Sequence, residues 1–127
     1  MFDWVDLEDS WVLGWHLDAA WHQLIFDLEA SLWPGHEYYV PPSPEEHTCY
    51  KRARLIFERV ASIEGLSPMD AVKPNIDPDG SIDYGNIEGL HQAGEGIYKF
   101  GGDFGEVKVK CAGVHLEIAD ANGKAAA

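Results

Sequence analysis

Two-residue alternation of apolar and polar side chains is the feature that most limits how this chain can fold. In the segment SWVLGWHL, which starts at Ser10, bulky apolar residues recur at every second position. In QLIFDLEASL, which starts at Gln23, the same spacing places apolar side chains on one side, at Leu24, Phe26, Leu28, Ala30 and Leu32. Successive side chains of a β-strand point to opposite faces, so this period predicts two half-buried strands.

These two strands lie close enough in the chain to pair as an antiparallel hairpin. Folding about Ala19-Ala20 creates facing pairs, which are Leu17 with His22, Trp15 with Leu24, Leu13 with Phe26, and Trp11 with Leu28. A four-residue connection from Asp18 to Trp21 keeps the same pairs. In this single register, each strand has one apolar face that can be buried and one mostly polar face that can meet solvent. Trp11 and Trp15 are therefore expected in the core.

The C-terminal third predicts a second hairpin. A turn at Ala112-Gly113 creates facing pairs, which are Cys111 with Val114, Val109 with Leu116, and Val107 with Ile118. The other face sets Lys108 across from Glu117, an opposite-charge pair that stabilises a sheet. Just upstream, Asp103-Phe104-Gly105 is expected to form a turn.

Residues 44–62 are compatible with two structures. Ser43-Pro44-Glu45-Glu46 is a good helix start, and the apolar residues that follow form one stripe at helical spacing. This pattern predicts a helix over residues 44–62 that ends before Gly65. Many of the same side chains favour strands instead, among them Thr48, Tyr50, Ile56 and Val60.

The segment 75–86, NIDPDGSIDYGN, is similar to a calcium-binding loop in the spacing of its oxygen-bearing side chains. Its last position is Asn86, which lacks the bidentate carboxylate that such loops need. A three-residue hairpin turn at Pro78-Asp79-Gly80 is the simpler interpretation, with Asp77 opposite Ser81 and Ile76 opposite Ile82. The histidines also lack the spacing of a zinc site, so we expect no metal and no cofactor.

A loop of residues 33–47 carries four prolines together with aromatic and acidic side chains. Aromatic rings beside carboxylates are typical of cages for organic cations. The candidate ligand-binding residues are Trp33, His36, Glu37, Tyr38 and Tyr39. The alternative is that these rings seal one end of the core, since aromatic side chains most often contribute by burial.

Charge is distributed unevenly along the chain. The net charge is −13, and residues 1–50 contain ten acids and no Lys or Arg. Such a surface repels phosphate backbones, so a nucleic-acid partner is not expected, whereas a cationic small molecule or a basic protein would be attracted. No apolar run is long enough to span a bilayer, so a membrane partner is not expected either.

Cysteine usage and the N-terminal segment predict a cytoplasmic location. Cys49 and Cys111 are the only cysteines, and both are expected to be buried free thiols, although a bridge between them is the alternative. The first ten residues carry four acids and no base, unlike a secretory signal.

The stretches DSWVLGW, LIFDLEASL, IDPDGSIDYGNIEGL and IYKFGGDFGEVKVKC together resemble small bacterial proteins to which no activity is assigned. The resemblance implies a compact β-rich domain in a bacterial cytosol, and it favours strands over the helix for residues 44–62. It implies no mechanism and no functional residue.

The sequence thus predicts one mainly antiparallel β-sandwich or partly open barrel over residues 1–122, with 123–127 as a disordered tail. The expected function is a non-catalytic binding module for a cationic small molecule or a basic protein. The alternative is a small hydrolase that uses carboxylates or a divalent metal. Catalytic motifs of known spacing are missing, so an enzyme is the less favoured of the two.

Overall fold

The computed structural model of the chain describes residues 2–119, and the tail predicted for 123–127 lies outside this range. Ten strands and one short 3₁₀ helix, Met69–Ala71, account for the regular structure of these residues. The strands are β1 (Val5–Asp18), β2 (Gln23–Leu32), β3 (Cys49–Glu58), β4 (Ser62–Glu64), β5 (Asn75–Ile76), β6 (Ile82–Asp83), β7 (Glu88–Gly94), β8 (Ile97–Gly102), β9 (Gly105–Lys110) and β10 (Gly113–Ile118).

Two four-stranded antiparallel sheets form the body of the fold. The first sheet has the order β1-β2-β3-β10, and the second has the order β4-β9-β8-β7. Strands β5 and β6 form a separate two-stranded hairpin. The sheets do not close on themselves, so the predicted mainly β architecture, a sandwich or open barrel, is confirmed.

Aromatic rings from both sheets fill the space between them. The Phe26 ring of the first sheet lies 5.4 Å from that of Phe100 in the second, edge to face. Phe57 stacks on Phe100 at 5.3 Å, and Phe104 lies 5.2 Å from Phe26. These four rings are almost fully removed from water. Such pairs stabilise a core by about 0.5–1.5 kcal/mol each beyond the burial of their area.

The predicted N-terminal hairpin forms, but its register is displaced by two residues. Leu17 pairs with Leu24, and Trp15 pairs with Phe26. The connection comprises the four residues after Asp18, and its last residue, His22, has a positive φ of 52°. A displacement of two keeps every side chain on its predicted face. The core face of β2 is accordingly the predicted one, and Trp15 is buried as expected.

Residues 49–58 form strand β3, so the strands favoured over the helix within residues 44–62 are confirmed there, and the alternative helix over residues 44–62 is wrong. β3 lies between β2 and β10 and pairs with both. Its core face presents Ala53, Leu55 and Phe57 to the second sheet, and all three are buried. Pairing on both sides satisfies the backbone groups of β3, which outweighs the helix-start signal in front of it.

The predicted C-terminal hairpin is wrong, because its two strands belong to different sheets. β9 pairs with β8 and β4, whereas β10 pairs with β3. The chain crosses from one sheet to the other at Cys111 and Ala112. Their backbone N–H groups donate to the carbonyls of Gly96 and Glu58 at 2.9 and 2.8 Å.

The charge pair expected across that hairpin is replaced by two others. Lys108 lies 3.7 Å from Glu64, and Glu117 lies 3.0 Å from Arg54. The turn expected at Asp103-Phe104-Gly105 is confirmed, since Gly102 pairs with Gly105 across a two-residue connection.

Candidate functional site

A groove of about 380 Å³ lies between the outer face of the first sheet and the β5–β6 hairpin. Two aromatic side chains, Trp11 and Tyr50, line it from the sheet. Three carboxylates also line it, Glu29 from β2 and Asp77 and Asp83 from the hairpin side. Its volume falls in the range typical of small-molecule sites.

Trp11 reaches this groove because β1 contains a bulge. Val12 pairs with Leu28 while Gly14 pairs with Asp27, so Leu13 is an extra residue in the ladder. One extra residue reverses the faces of everything beyond it. Val12 is therefore fully buried, and Trp11 lies opposite Glu29 on the outer face. The prediction that Trp11 lies in the core is wrong for this reason.

The residues just after β6 hold the hairpin beside the sheet. The backbone N–H of Tyr84 donates to the Val12 carbonyl, and the N–H of Val12 donates to the Gly85 carbonyl, both at 2.8 Å. These two bonds use backbone groups on the outer edge of β1, the side away from β2. The hairpin is thereby positioned as one wall of the groove.

The hairpin has the turn that its sequence predicts. Ile76 pairs with Ile82, and the N–H of Asp77 donates to the Ser81 carbonyl at 2.9 Å. Gly80 has a φ of 88°, which is the left-handed conformation that this turn requires.

Hydrogen bonds orient the acidic side chains of the hairpin. Asp83 is only 8% exposed, and its Oδ1 accepts from Asn75 Nδ2 at 3.1 Å and from the Gly85 N–H at 2.9 Å. The Ser81 hydroxyl donates to Asp79 Oδ1 at 2.6 Å, and its oxygen also lies 3.1 Å from Asp77 Oδ2. The bonds from the hydroxyl and the backbone N–H of Ser81 lower the pKa of Asp79 below its ordinary value.

A wider depression of about 660 Å³ lies beside the groove, and Leu13 lines both. Two arginines, Arg52 and Arg54, line this second part. Arg54 Nη2 lies 3.0 Å from Glu117 Oε2, and Arg52 Nε lies 3.8 Å from Glu29 Oε1. The outer face of the first sheet therefore carries an acidic, aromatic end and an arginine-lined end.

A third depression, of about 580 Å³, lies on the outer face of the second sheet. Gly101 pairs with Glu88 on one side and with Glu106 on the other. Two carboxylate-bearing residues thus flank a position without a side chain, with Lys99 and Lys108 along the same strands.

The residues predicted to bind a ligand, Trp33, His36, Glu37, Tyr38 and Tyr39, lie in the segment after β2. The rings of His36 and Tyr38 are 5.9 Å apart, and the Tyr38 N–H donates to His36 Nδ1 at 3.1 Å. Tyr38 and Tyr39 pack against the core, whereas Glu37 is exposed and Trp33 is 49% exposed. A depression of about 180 Å³ includes Trp33, but its other walls come from Phe2, from the start of β1 and from Ile87, Gly89 and Leu90.

The remaining reactive side chains of the described residues are the potential metal ligands and the two thiols. Between residues 2 and 119, no three His, Cys, Asp or Glu side chains are grouped as they would be to hold a metal ion. Cys49 and Cys111 are buried free thiols, as predicted. Burial raises the pKa of the Cys111 thiol, which disfavours the reactive thiolate at neutral pH.

Comparison with family models, curated proteins and solved structures finds no match to this chain. Over residues 2–119, no helix has the length and apolar character needed to cross a membrane.

Proposed function

We propose that this protein is a non-catalytic binding module for a small organic cation, held in the groove between the first sheet and the β5–β6 hairpin. The observation that carries the proposal is the shared lining of one concave site by Trp11, Tyr50 and the carboxylates Glu29, Asp77 and Asp83. Aromatic faces attract cations through their quadrupole, by about 0.5–2 kcal/mol per contact. The carboxylates add charge attraction at the same place.

The whole molecule reinforces this local attraction. A net charge of −13 creates a negative potential that raises the local concentration of cations and speeds their association. The carboxyl group of the buried Asp83 is fixed at the groove by two hydrogen bonds, so it needs no rearrangement to face a ligand. A concave site of about 380 Å³ fits a small molecule better than the flat contact that a basic protein would make.

Isothermal titration calorimetry with choline tests the proposal. The matched control ligand is the neutral isostere of choline, in which a tert-butyl group replaces the trimethylammonium group. We expect choline to bind at least about 5-fold more tightly, because only choline gains the cation–π and carboxylate attraction. Equal affinity of the two ligands, or no binding of either, would refute a cation site.

Two tryptophan variants locate the site. Trp11→Ala removes an aromatic wall of the groove, whereas Trp33→Ala removes the ring from the segment after β2. We expect Trp11→Ala to weaken choline binding by about 5- to 30-fold and Trp33→Ala to leave it unchanged. The opposite result would transfer the site to Trp33, His36, Glu37, Tyr38 and Tyr39, which stay our second candidate location.

The hydrolase alternative is best represented by Glu88 and Glu106, which flank Gly101 on the second sheet. Acid–base hydrolysis of a glycoside requires at least two carboxyl groups with space for the sugar between them, and Gly101, which lies between the two, has no side chain. The two buried free thiols support a reducing compartment such as the predicted bacterial cytoplasm.

A further inference from the structure

We infer that the ligand of this groove is a zwitterion, with its cationic end between Trp11 and Tyr50 and its anionic end on Arg52. This inference rests on the proposed cation site and adds the chemical class of the ligand. It is carried by the adjacency of the acidic groove and the arginine-lined depression, which share Leu13 as a lining residue and whose Glu29 and Arg52 lie 3.8 Å apart.

The sheet register sets the distance between the two ends. Glu29 pairs directly with Arg52, and Tyr50 lies two positions before Arg52 on the same strand. Residues two apart in a strand are about 7 Å apart and point to the same face. The backbone positions of Tyr50 and Arg52 are therefore about 7 Å apart along β3, a spacing that suits a ligand whose cation and anion are joined by a short aliphatic chain.

The present partner of Arg52 explains why a simple cation is not the best ligand. Arg52 Nε lies 3.8 Å from Glu29 Oε1, and the two side chains are 70% and 42% exposed. An exposed contact of this length contributes little to stability, so a ligand displaces it easily. A plain cation that takes Glu29 leaves the guanidinium without its partner. A zwitterion replaces both halves of the pair, since its cation faces Glu29 and its anion faces Arg52.

Arg54 is held differently from Arg52, by a shorter contact with a carboxylate. Its Nη2 is 3.0 Å from Glu117 Oε2, within hydrogen-bond distance, so its guanidinium is already engaged. Arg52 is therefore the arginine that is available to a ligand. Glu117 and Asp27 border the same depression and disfavour a ligand with more than one negative charge.

Calorimetry with a matched pair of probes tests the inference. γ-Butyrobetaine carries a trimethylammonium group and a carboxylate, and its methyl ester keeps the cation but not the anion. We expect the zwitterion to bind about 3- to 10-fold more tightly than the ester. Equal affinity of the two probes, or preference for the ester, overturns the zwitterion while leaving the cation site intact. No binding of either probe refutes both proposals.

Arg52→Gln assigns the effect to the residue. It is expected to abolish the preference for the zwitterion and to leave ester binding the same or tighter, because Glu29 is then free. The matched control is Arg59→Gln, which changes an exposed arginine just after β3 that does not line the groove. A preference that survives in Arg52→Gln, or that is lost in Arg59→Gln, contradicts the assignment to Arg52.

A phosphatidylcholine headgroup presents the same two charges as a free zwitterion. Co-sedimentation with phosphatidylcholine vesicles identifies the source of the ligand. Sedimentation that is lost in Trp11→Ala supports a headgroup, and binding of γ-butyrobetaine without sedimentation supports a free small molecule. Sedimentation that persists in Trp11→Ala overturns recognition of the headgroup by this groove.

Discussion

Phe104 offers the sharpest test of how the two sheets are held together. It lies in the two-residue connection between β8 and β9, yet it is fully buried. Its ring is 5.5 Å from Trp15 and 5.2 Å from Phe26 in the first sheet, and 5.8 Å from Phe100 in the second. A turn residue thus links the cores of both sheets.

Truncation of this ring should be among the most destabilising single changes in the protein. Phe104→Ala removes a fully buried ring and its three aromatic contacts and leaves a cavity, so we expect a loss of about 3–5 kcal/mol in the free energy of unfolding. The free energy of unfolding of a domain of this size is about 5–15 kcal/mol in total, so Phe104→Ala is close to the limit of stable folding. Phe104→Leu keeps most of the apolar volume and should cost about 1–2 kcal/mol.

Urea denaturation, followed by tryptophan fluorescence, measures both losses. Trp21→Ala is the matched control, because Trp21 is an aromatic residue that is 71% exposed. This variant should change the free energy of unfolding by no more than about 0.5 kcal/mol. A loss for Phe104→Ala below about 1 kcal/mol, or one equal to that of Trp21→Ala, would refute the packing of Phe104 between the sheets.

Two further predictions concern the connections. Gly65→Ala should lower the melting temperature far more than Gly80→Ala. Both glycines have a positive φ, but only a Cβ at Gly65 would collide with the Glu106 carbonyl. Equal losses in melting temperature would contradict the close approach of Gly65 to Glu106. Ser81→Ala should raise the pKa of Asp79 toward its usual value, measured by carboxyl NMR titration. Because folding lowers this pKa, the ionised Asp79 stabilises the fold above about pH 4, and this contribution is lost as the pH falls. The stability of the variant should therefore depend less on pH in the acid range. An unchanged pKa of Asp79 would refute the role of Ser81.

Periodicity predicted which side of β2 is buried but not the register of β1. A strand that slides by two residues keeps all its faces, so alternation alone cannot distinguish the predicted pairing of Trp15 with Leu24 from the observed pairing with Phe26. A bulge adds one residue and reverses the faces beyond it. Leu13 is apolar and continues the alternation, so the sequence contains no signal that marks it as the extra residue.

The choice of partner strand was also beyond the reach of periodicity. Apolar and polar side chains alternate in both β9 and β10, as they would in the two strands of a hairpin. Only three residues separate Lys110 from Val114. Each strand instead pairs with a partner from another part of the chain, β10 with β3 and β9 with β8. Such long-range competition leaves no trace in a local pattern.

The elements that form the proposed groove could not be predicted from the sequence. Aromatic and acidic side chains are dense in residues 33–39, and the cation site predicted there stays a prediction. The groove takes Trp11, Glu29, Tyr50 and the hairpin residues Asp77 and Asp83 from separate parts of the chain. Only the bulge in β1 and the docking of the hairpin bring them together.

The indole N–H signals of the five tryptophans report the location of a bound cation directly in a two-dimensional NMR titration with choline. We predict that the signal of Trp11, assigned from the Trp11→Ala variant, shifts in a saturable manner while that of Trp33 stays in place. A saturable shift of Trp33 with Trp11 unmoved, or no shift of any indole, would contradict a cation site in this groove.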